Sequence, residues 1–278
     1  MRFFEIKFAG GLGNQLFQYA AARSLMKAGD ILLFNLNDYN DDDYGRTFSL
    51  LKYCVKGKII LSDTGKKIFK PQTKLNSFLN RLGLFNLIKE KGFFIQPELH
   101  IQCCKTFTSL QGYWQSEKYF YRIRKTLLEE LVPQQIPALT DVMSKKDTVA
   151  VHVRRTDYLN DDRYGFLGEE YYYKAIKFMK QKLDKPTFIF FSDDIEWCKS
   201  TFENENISFC QEPNWQADYL QLFLISKCSH QIIANSSFSW WGAWLNLNNE
   251  KLVIRPQKPF MDQSLHYENY YPSNWIAL

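Results

Sequence analysis

Two adjacent arginines follow a run of alternating valines in VAVHVRRTDY, residues 149–158. Because side chains alternate along a strand, the valines share one face, and His152 and Arg154 project from the other. Arg155 and Asp157 belong to the loop at the carboxyl end of this strand. Two guanidinium groups at the end of a buried strand are costly unless an anion meets them, and their N–H groups suit a diphosphate. The alternative is that Arg155 pairs with Asp157 and only closes the loop.

A second anion site is predicted at GGLGNQ, residues 10–15, between a strand and a helix. Gly11 and Gly13 would let the backbone approach a phosphate, and Asn14 adds a side-chain donor beside the helix N-terminus. The segment does not match the dinucleotide-binding pattern, because Leu16 stands where the third glycine belongs. A tight turn that binds nothing is the alternative.

Polar side chains also end the strand in FIFFSDD, residues 188–194. Asp193 and Asp194 could bind a metal, a ribose or the donor edge of a base. The alternative is a helix cap, since Ser192 and Asp193 are both good N-cap residues before a helix at 195–202.

A fourth strand ends in small hydroxyl residues within IIANSSFSWWGAW, residues 232–244. Ser236 and Ser237 lie at the predicted start of a helix, where oxyanions bind favourably. The tryptophans of this helix lie past its first turn, so they are expected to pack inside the protein rather than to stack on a sugar. They are Trp240, Trp241 and Trp244.

Short apolar runs alternate with amphipathic segments, a pattern that predicts an α/β protein whose second half is a doubly wound parallel sheet. The predicted strands are 2–8, 31–34, 148–154, 187–192, 230–234 and 251–254. The predicted helices are one that ends at Gly29 and those at 169–183, 195–202, 217–227 and 237–247. A boundary is expected in the proline-containing segment 132–146, which gives domains 1–135 and 146–278.

The formal net charge of +5 over 278 residues is unevenly distributed. Between Arg46 and Phe94 there are 11 lysines and arginines but only two acidic residues, a local charge of +9. Leu75, Phe78 and Leu82 recur there at helical spacing, together with Leu79. One interpretation is a helix packed on its own domain; the other is peripheral contact with anionic lipid or a lipid-linked substrate.

Composition excludes several classes of protein. A hydrophobic fraction of 45% with 23% charged residues is typical of globular chains rather than disordered ones. No uninterrupted apolar run approaches the ~18 residues of a membrane span. Glu5 and Lys7 interrupt what would be the apolar part of a signal peptide. The six cysteines are scattered without metal-site spacing, which favours reduced thiols in a cytoplasmic protein.

Four predicted strand ends that carry anion and base contacts indicate a nucleotide diphosphate ligand neutralised by arginine. The motifs that carry them resemble those of the α-1,2-fucosyltransferases of glycosyltransferase family 11. They are GGLGNQLFQYAAA at 10–22, VHVRRTDY at 151–158, FSDD at 191–194 and NSSFSWWGAWL at 235–245. One departure is Thr156, because many members have glycine there.

The resemblance implies a GT-B-like fold of two Rossmann-like halves with a donor cleft between them. The acceptor side would be 1–135, with the basic insertion at about 46–94, and 146–278 would bind GDP-fucose. It also implies inverting transfer of fucose, without a metal or other cofactor, to the 2-hydroxyl of a terminal β-galactose. A bacterial, cytoplasmic enzyme of surface-glycan synthesis is expected, peripheral to the inner membrane face if the basic segment binds lipid.

Residue roles follow from the same resemblance. Arg154 would hold the diphosphate and stabilise the departing GDP, with Arg155 beside it, while His152 and Asn14 would line the donor site. Asp193 or Asp194 would bind guanine, and the phosphate and base would be held by Ser236, Ser237 and Phe238. The general base stays open between Asp157, Asp162 and none.

Three rival interpretations remain at this point. The first is a different donor sugar or linkage on the same scaffold. The second is a metal-dependent transferase that uses Asp41 and Asp43. The third is a non-enzymatic module that binds carbohydrate or nucleotide, which would leave His152, Arg154 and the paired serines unexplained. Nucleic-acid binding is not expected, because the positive charge is local and no recognition motif accompanies it.

Overall fold

The computed structural model describes residues 1–36, 47–60, 78, 81–90, 106–136, 146–202, 206–211, 216–262 and 267–278. The chain forms two units. One comprises Met1–Val132 with Glu268–Tyr270, and the other comprises Pro133–Tyr267 with Tyr271–Leu278. Each is an α/β unit built on a parallel sheet, which confirms the fold class predicted from the sequence.

The first unit contains a five-stranded sheet in the order β3-β2-β1-β5-β4. Its strands are β1 (Phe3–Lys7), β2 (Ile31–Asn35), β3 (Lys58–Ile60), β4 (Phe85–Lys89) and β5 (Phe107–Gln111), and its helices are α1 (Leu12–Ser24) and α2 (Arg124–Glu130). All neighbouring strands are parallel. Phe4 and Ile6 of β1 and Leu16 and Ala20 of α1 are fully buried, so the central strand and α1 form the core of this unit.

Residues 268–270 complete the first unit although they follow most of the second unit in the chain. The Ser116 hydroxyl donates to the Asn269 carbonyl over 2.6 Å. The ring of Tyr270 packs 6.4 Å from that of Phe17 on α1. The first unit is therefore not contiguous in sequence.

The second unit contains a six-stranded sheet in the order β11-β10-β9-β6-β7-β8. Its strands are β6 (Thr148–Val153), β7 (Thr187–Ser192), β8 (Ile207–Phe209), β9 (His230–Ile232), β10 (Val253–Arg255) and β11 (Ile276–Ala277). Its helices are α3 (Gly168–Lys182), α4 (Ile195–Thr201), α5 (Asp218–Lys227) and α6 (Ser237–Trp244). Numbered from β6, this is the order 3-2-1-4-5-6 of Rossmann folds.

The alternation predicted for β6 is confirmed. Val149, Val151 and Val153 belong to one apolar cluster, with the buried side chains of α3. Ala150 belongs to a second cluster, with α5. The tryptophans of α6 are also buried, which confirms that they pack inside the unit: Trp240, Trp241 and Trp244 are 0%, 0% and 3% exposed.

Two predictions about the first helix were wrong. Helix α1 ends at Ser24 rather than at Gly29, because the Leu25 and Met26 N–H groups turn back to the Ala22 and Arg23 carbonyls. The helix also begins at Leu12, so Gly13 lies in its first turn rather than in a loop. The other helix ends fall within a few residues of their predicted positions.

Some sequence predictions lie outside the described residues, among them the Asp41 and Asp43 pair, Cys103, Cys104 and most of the basic segment. Of the predicted amphipathic helix, Phe78 and Leu82 are described, and both side chains are more than half exposed. No described cysteine forms a disulfide. In the parts of the chain that the structure covers, no helix has both the length and the apolar composition needed to cross a membrane.

Candidate functional site

The second sheet reverses its winding between β6 and β9. These strands are neighbours, with Val151 opposite Ile232, but the chain continues from β6 to β7 on one side and from β9 to β10 on the other. Ligands of open parallel sheets bind beyond the carboxyl ends of the strands at such a point. The VRRTDY turn follows β6 and the NSSF segment follows β9, so the structure brings these two predicted motifs to one edge.

Arg154, the first residue after β6, is held by two carboxylates. Asp157 contacts it twice, Oδ1 to Nε and Oδ2 to Nη2, each at 2.8 Å. Asp193 Oδ2 lies 3.4 Å from Nη1. Burial works to lower the pKa of Arg154, but the hydrogen bond with Asp157 and the charge of Asp193 outweigh it and raise the pKa. The guanidinium therefore carries a fixed positive charge, and its side chain is still 30% exposed.

Arg155 has a separate set of partners. Its Nη1 lies 2.5 Å from Asp194 Oδ2, and its guanidinium carbon lies 5.0 Å from the ring of Trp197 and 5.7 Å from that of Phe166. The alternative in which Arg155 pairs with Asp157 is therefore wrong, since Asp157 pairs with Arg154. The two adjacent arginines are positioned by different carboxylates.

Asp193 fixes the backbone of the turn that carries both arginines. Its Oδ1 accepts the Arg155 N–H at 2.9 Å, and its Oδ2 accepts the Thr156 N–H at 3.2 Å and the Thr156 hydroxyl at 2.5 Å. Burial alone would raise the pKa of Asp193, but the Thr156 hydroxyl and the charge of Arg154 lower it. Thr156 thus supplies a side-chain hydrogen bond that glycine could not.

Asp194 is the residue that caps α4. Its Oδ1 accepts the Trp197 N–H at 3.2 Å, while its own N–H donates to the Ser192 hydroxyl. The alternative that Ser192 or Asp193 caps this helix is wrong. Both aspartates contact protein groups here, so the predicted contacts with guanine stay a prediction.

His152 lies in β6 with its side chain almost completely buried, at 6% exposure. Its ring packs 5.3 Å from that of Phe238, at an angle of 37°. Burial lowers the pKa of His152 to about 3; Asp193 opposes that shift and Arg154 adds to it. The imidazole is therefore neutral at working pH, next to a permanent guanidinium charge.

The N-terminus of α6 is linked to the arginine turn. Ser236 is the N-cap residue, and its hydroxyl accepts the Phe238 N–H at 3.2 Å. The same hydroxyl works to lower the pKa of the Tyr158 hydroxyl, against burial, which raises it. Tyr158 in turn stacks on Tyr164, with ring centroids 5.2 Å apart. Ser237 occupies the first helical position, so a hydroxyl and a helix N-terminus meet the arginine turn at one edge.

The glycine segment of the first unit joins β1 to α1. Gly10 has φ of +80°, and a side-chain carbon placed there would collide with Asn14 Nδ2. Gly11 is the N-cap of α1 and brings no side chain over the first-turn N–H groups. The left-handed glycine is therefore Gly10, which sequence reasoning did not single out, whereas Gly11 and Gly13 have ordinary backbone angles.

Asn14 is contacted by a residue that sequence reasoning missed. Gln115, which follows β5, donates from Nε2 to Asn14 Oδ1 over 2.6 Å. Glu90, which follows β4, accepts the Tyr113 and Trp114 N–H groups and so fixes the turn before Gln115. Glu90 and Gln115 each follow a short run that contains apolar residues, and this position could have marked them as residues at strand ends. Neither run was predicted to be a strand from the sequence.

The described residues include no group of three or more His, Cys, Asp or Glu side chains placed to hold a metal ion. The cationic groups described at the second sheet's edge are Arg154 and Arg155, each paired with aspartate. The remaining arrangement offers a neutral imidazole, hydroxyl groups and a helix N-terminus, which together suit a phosphorylated ligand.

Comparison with known proteins identifies related chains. The model of the family described as Glycosyl transferase family 11 matches residues 3–278. An Escherichia coli α-1,2-colitosyltransferase is 31% identical, over 98% of this chain and 97% of its own. The O-antigen biosynthesis glycosyltransferase WbnK of Escherichia coli is 29% identical, over 91% and 93%. The mouse galactoside 2-α-L-fucosyltransferase Sec1 is 24% identical, over 99% of this chain and 73% of its own.

Proposed function

The chain belongs to glycosyltransferase family 11, and from this we propose that it transfers L-fucose from GDP-fucose to the 2-hydroxyl of a terminal β-galactose. The reaction inverts the anomeric centre and uses no metal. The acceptor oxygen forms a bond to the anomeric carbon as the bond to the β-phosphate breaks, and GDP leaves with the electron pair. The acceptor proton passes to a base or to solvent.

The observation that carries this proposal is the way in which Arg154 is held. Asp157 occupies the Nε–Nη2 edge of the guanidinium. On the Nη1–Nη2 edge Asp193 Oδ2 lies 3.4 Å from Nη1, which leaves two further N–H groups to bind phosphate oxygens. Because negative charge grows on the β-phosphate as the sugar bond breaks, a guanidinium fixed there stabilises the transition state more than the ground state.

His152 fits this scheme as a neutral hydrogen-bonding group. An imidazolium would need its pKa near working pH, and burial lowers that pKa to about 3. A group so weakly basic does not take the proton of the acceptor hydroxyl. Its role is to bind the donor beside Arg154 and Phe238.

Neither aspartate considered as the base is favoured by its contacts. Both carboxylate oxygens of Asp157 face the guanidinium of Arg154, so proton acceptance would disturb that pair. Asp162 is exposed in the same loop, beside the Asp161–Arg163 ion pair. Asp157 is therefore assigned to the orientation of Arg154, and the base is left to Asp162 or solvent.

The proposal is tested by incubating the protein with GDP-fucose and lactose, in buffer with EDTA. We expect GDP release and a product whose NMR spectrum shows an α-fucosyl group on O2 of galactose. Arg154→Ala serves as the control for contaminating activity. Absence of GDP release with every β-galactoside offered would contradict the proposal, and activity lost in EDTA but restored by Mg²⁺ would contradict metal independence.

A second donor is favoured by a specific observation, the 31% identity to an α-1,2-colitosyltransferase. Colitose is 3-deoxyfucose, so the two donors differ by one hydroxyl group. A site that hydrogen-bonds this hydroxyl rejects the deoxy sugar strongly, whereas a site built for the deoxy sugar discriminates weakly. Comparing kcat/KM for GDP-fucose and GDP-colitose decides between the two donors. A preference for GDP-colitose would show that colitose is the sugar transferred, and the proposed transfer to the 2-hydroxyl of galactose would stand.

A further inference from the structure

Asn235 lies after β9 and ties two strand ends of the second unit together. Its side chain is 2% exposed, and its Nδ2 donates to the Tyr164 carbonyl at 2.9 Å and to the Gly165 carbonyl at 3.2 Å. The amide nitrogen thus faces two oxygens of the loop that follows β6, which fixes the orientation of the amide. Asn235 Oδ1 is buried without a hydrogen-bond partner among the described residues. Because a buried unpaired oxygen costs stability, packing alone does not account for an amide at this position.

The loop end that Asn235 holds carries an aromatic stack that reaches Arg154. The ring of Tyr164 stacks on that of Tyr158, with centroids 5.2 Å apart and planes at 18°. The guanidinium carbon of Arg154 lies over the Tyr158 ring, 5.9 Å from its centroid. The hydroxyl of Ser236, the residue after Asn235, works to lower the pKa of the Tyr158 hydroxyl. Two consecutive residues after β9 therefore act on the same stack, one through its backbone and one at its hydroxyl.

Other contacts hold the outer part of the same loop. The Met261 N–H donates to the Arg163 carbonyl at 2.8 Å, and the Gly165 N–H donates to the Asp161 carbonyl at 2.9 Å. These anchors do not involve the side chain of Asn235. Loss of the Asn235 amide should therefore release the aromatic stack without unfolding the loop.

We propose that Asn235 is a positioning residue, which holds the Tyr164–Tyr158 stack against Arg154 so that the guanidinium faces the diphosphate of the donor. The inference rests on the proposed function, in which Arg154 binds that diphosphate at the edge where the second sheet reverses its winding. Asn235 itself does not touch the ligand. Without its amide, the Tyr158 ring can move away from Arg154, and the guanidinium loses a contact that limits its rotation.

Asn246 provides a matched control for Asn235. It is 3% exposed, and its Nδ2 likewise donates to two adjacent carbonyls, those of Cys228 at 2.8 Å and Ser229 at 3.3 Å. Its Oδ1 also accepts the Asn248 N–H, so alanine there removes at least as many hydrogen bonds. Ser229 precedes β9 and Asn235 follows it, so the two amides act at opposite ends of this strand. A difference in ligand affinity between the two alanine variants thus reports on position, not on the loss of a buried amide.

The measurements are GDP binding by isothermal titration calorimetry and fucose transfer to lactose. We expect Asn235→Ala to bind GDP roughly 3–30-fold more weakly than the native protein, the range that corresponds to one cation–aromatic contact. Its kcat should fall by a similar factor. Asn246→Ala should lower the melting temperature at least as much and leave both constants at their native values. Partial unfolding does not imitate this result, because unfolded molecules lower the stoichiometry of binding rather than the affinity of the folded ones.

A double-mutant cycle tests the route through Tyr158. Tyr158→Leu removes the ring and should weaken GDP binding about as much as Asn235→Ala, and the double variant should bind no more weakly than either alone. Tyr158→Phe keeps the ring and should retain more of the affinity than Tyr158→Leu.

Equal GDP affinities in Asn235→Ala and Asn246→Ala, or additive effects in the cycle, would overturn the inference. A native protein that binds GDP but transfers no fucose tells against the proposed function alone, and the cycle on GDP affinity still decides the role of Asn235. Absence of GDP binding by the native protein would overturn both.

Discussion

Asp157 holds Arg154 along one edge of the guanidinium, with Oδ1 and Oδ2 each 2.8 Å from a nitrogen. The two residues are three positions apart in the sequence, and the turn directly after β6 brings their side chains together. This contact orients the opposite edge of Arg154 and keeps its charge in place.

Arg154→Ala should abolish measurable transfer while the protein stays folded. Loss of a fixed charge-stabilising donor costs roughly 10²–10³-fold in kcat. Arg154→Lys keeps the charge but not the two-point contact with Asp157, and we expect it to fall between Arg154→Ala and the native protein. Steady-state kinetics with far-ultraviolet circular dichroism checks both, and near-native turnover of Arg154→Ala would refute the role.

Asp157→Asn should lower kcat roughly 10–100-fold, the cost of weakening a charged hydrogen bond that orients Arg154. The acid limb of its pH–rate profile should stay where it is in the native enzyme, because Asp157 does not take the proton. Asp162→Asn is the matched comparison in the same loop. If the acid limb disappears in Asp157→Asn, then Asp157 is the base after all.

His152 should make the protein less stable in acid. Its pKa is lowered by burial from 6.5 in the unfolded chain to about 3 in the folded protein, so below pH 6.5 the unfolded state binds a proton that the folded state does not. The free energy of unfolding then falls by about 1.4 kcal/mol per pH unit from this group, until the folded pKa is reached. Urea titrations of the native protein and His152→Gln from pH 7 to 4 should diverge accordingly; parallel curves would contradict the shift.

Thr156→Val should destabilise the arginine turn, since valine keeps the shape of threonine but cannot donate to Asp193. A lost hydrogen bond of this kind costs about 1 kcal/mol of unfolding free energy. We also expect a several-fold lower kcat/KM, because Asp193 contacts Arg154. Thr156→Ser retains the hydroxyl and should behave as the native protein. Equal behaviour of the two variants would show that the hydroxyl has no role.

The full chain should co-sediment with anionic vesicles and not with neutral ones at low salt, if the basic segment 46–94 contacts lipid. Phe78 and Leu82 are exposed apolar side chains of this segment. Replacing both by serine should reduce the bound fraction without affecting transfer to lactose. No binding of the native chain to anionic vesicles would rule out this contact.

Sequence alone predicted the features that depend on neighbours along the chain. The alternation of valines in β6 placed Arg154 correctly because a strand and the residues after it form one local unit. The wrong end of α1 has a local cause as well: Gly29 has φ of +85° and belongs to a turn before β2, not to the helix cap. A glycine marks a left-handed residue but does not say which element precedes it.

Contacts between distant residues were beyond the sequence. Gln115 and Asn14 are 101 positions apart, and they meet only because β5 lies next to β1. In the same way, Arg155 meets Trp197 because β7 lies next to β6. A single sequence carries no pairing information of this kind, so the partners of both arginines and of Asn14 needed the structure.

The contribution of residues 268–270 to the first unit bears on the order in which the protein is made. Ser116 and Phe17 meet their partners, Asn269 and Tyr270, only after most of the second unit has been synthesised. The first unit therefore cannot complete its packing during synthesis, and a fragment that stops at Val132 would lack these contacts. A chimera that exchanges the first unit with that of a related enzyme should accordingly exchange residues 268–270 as well.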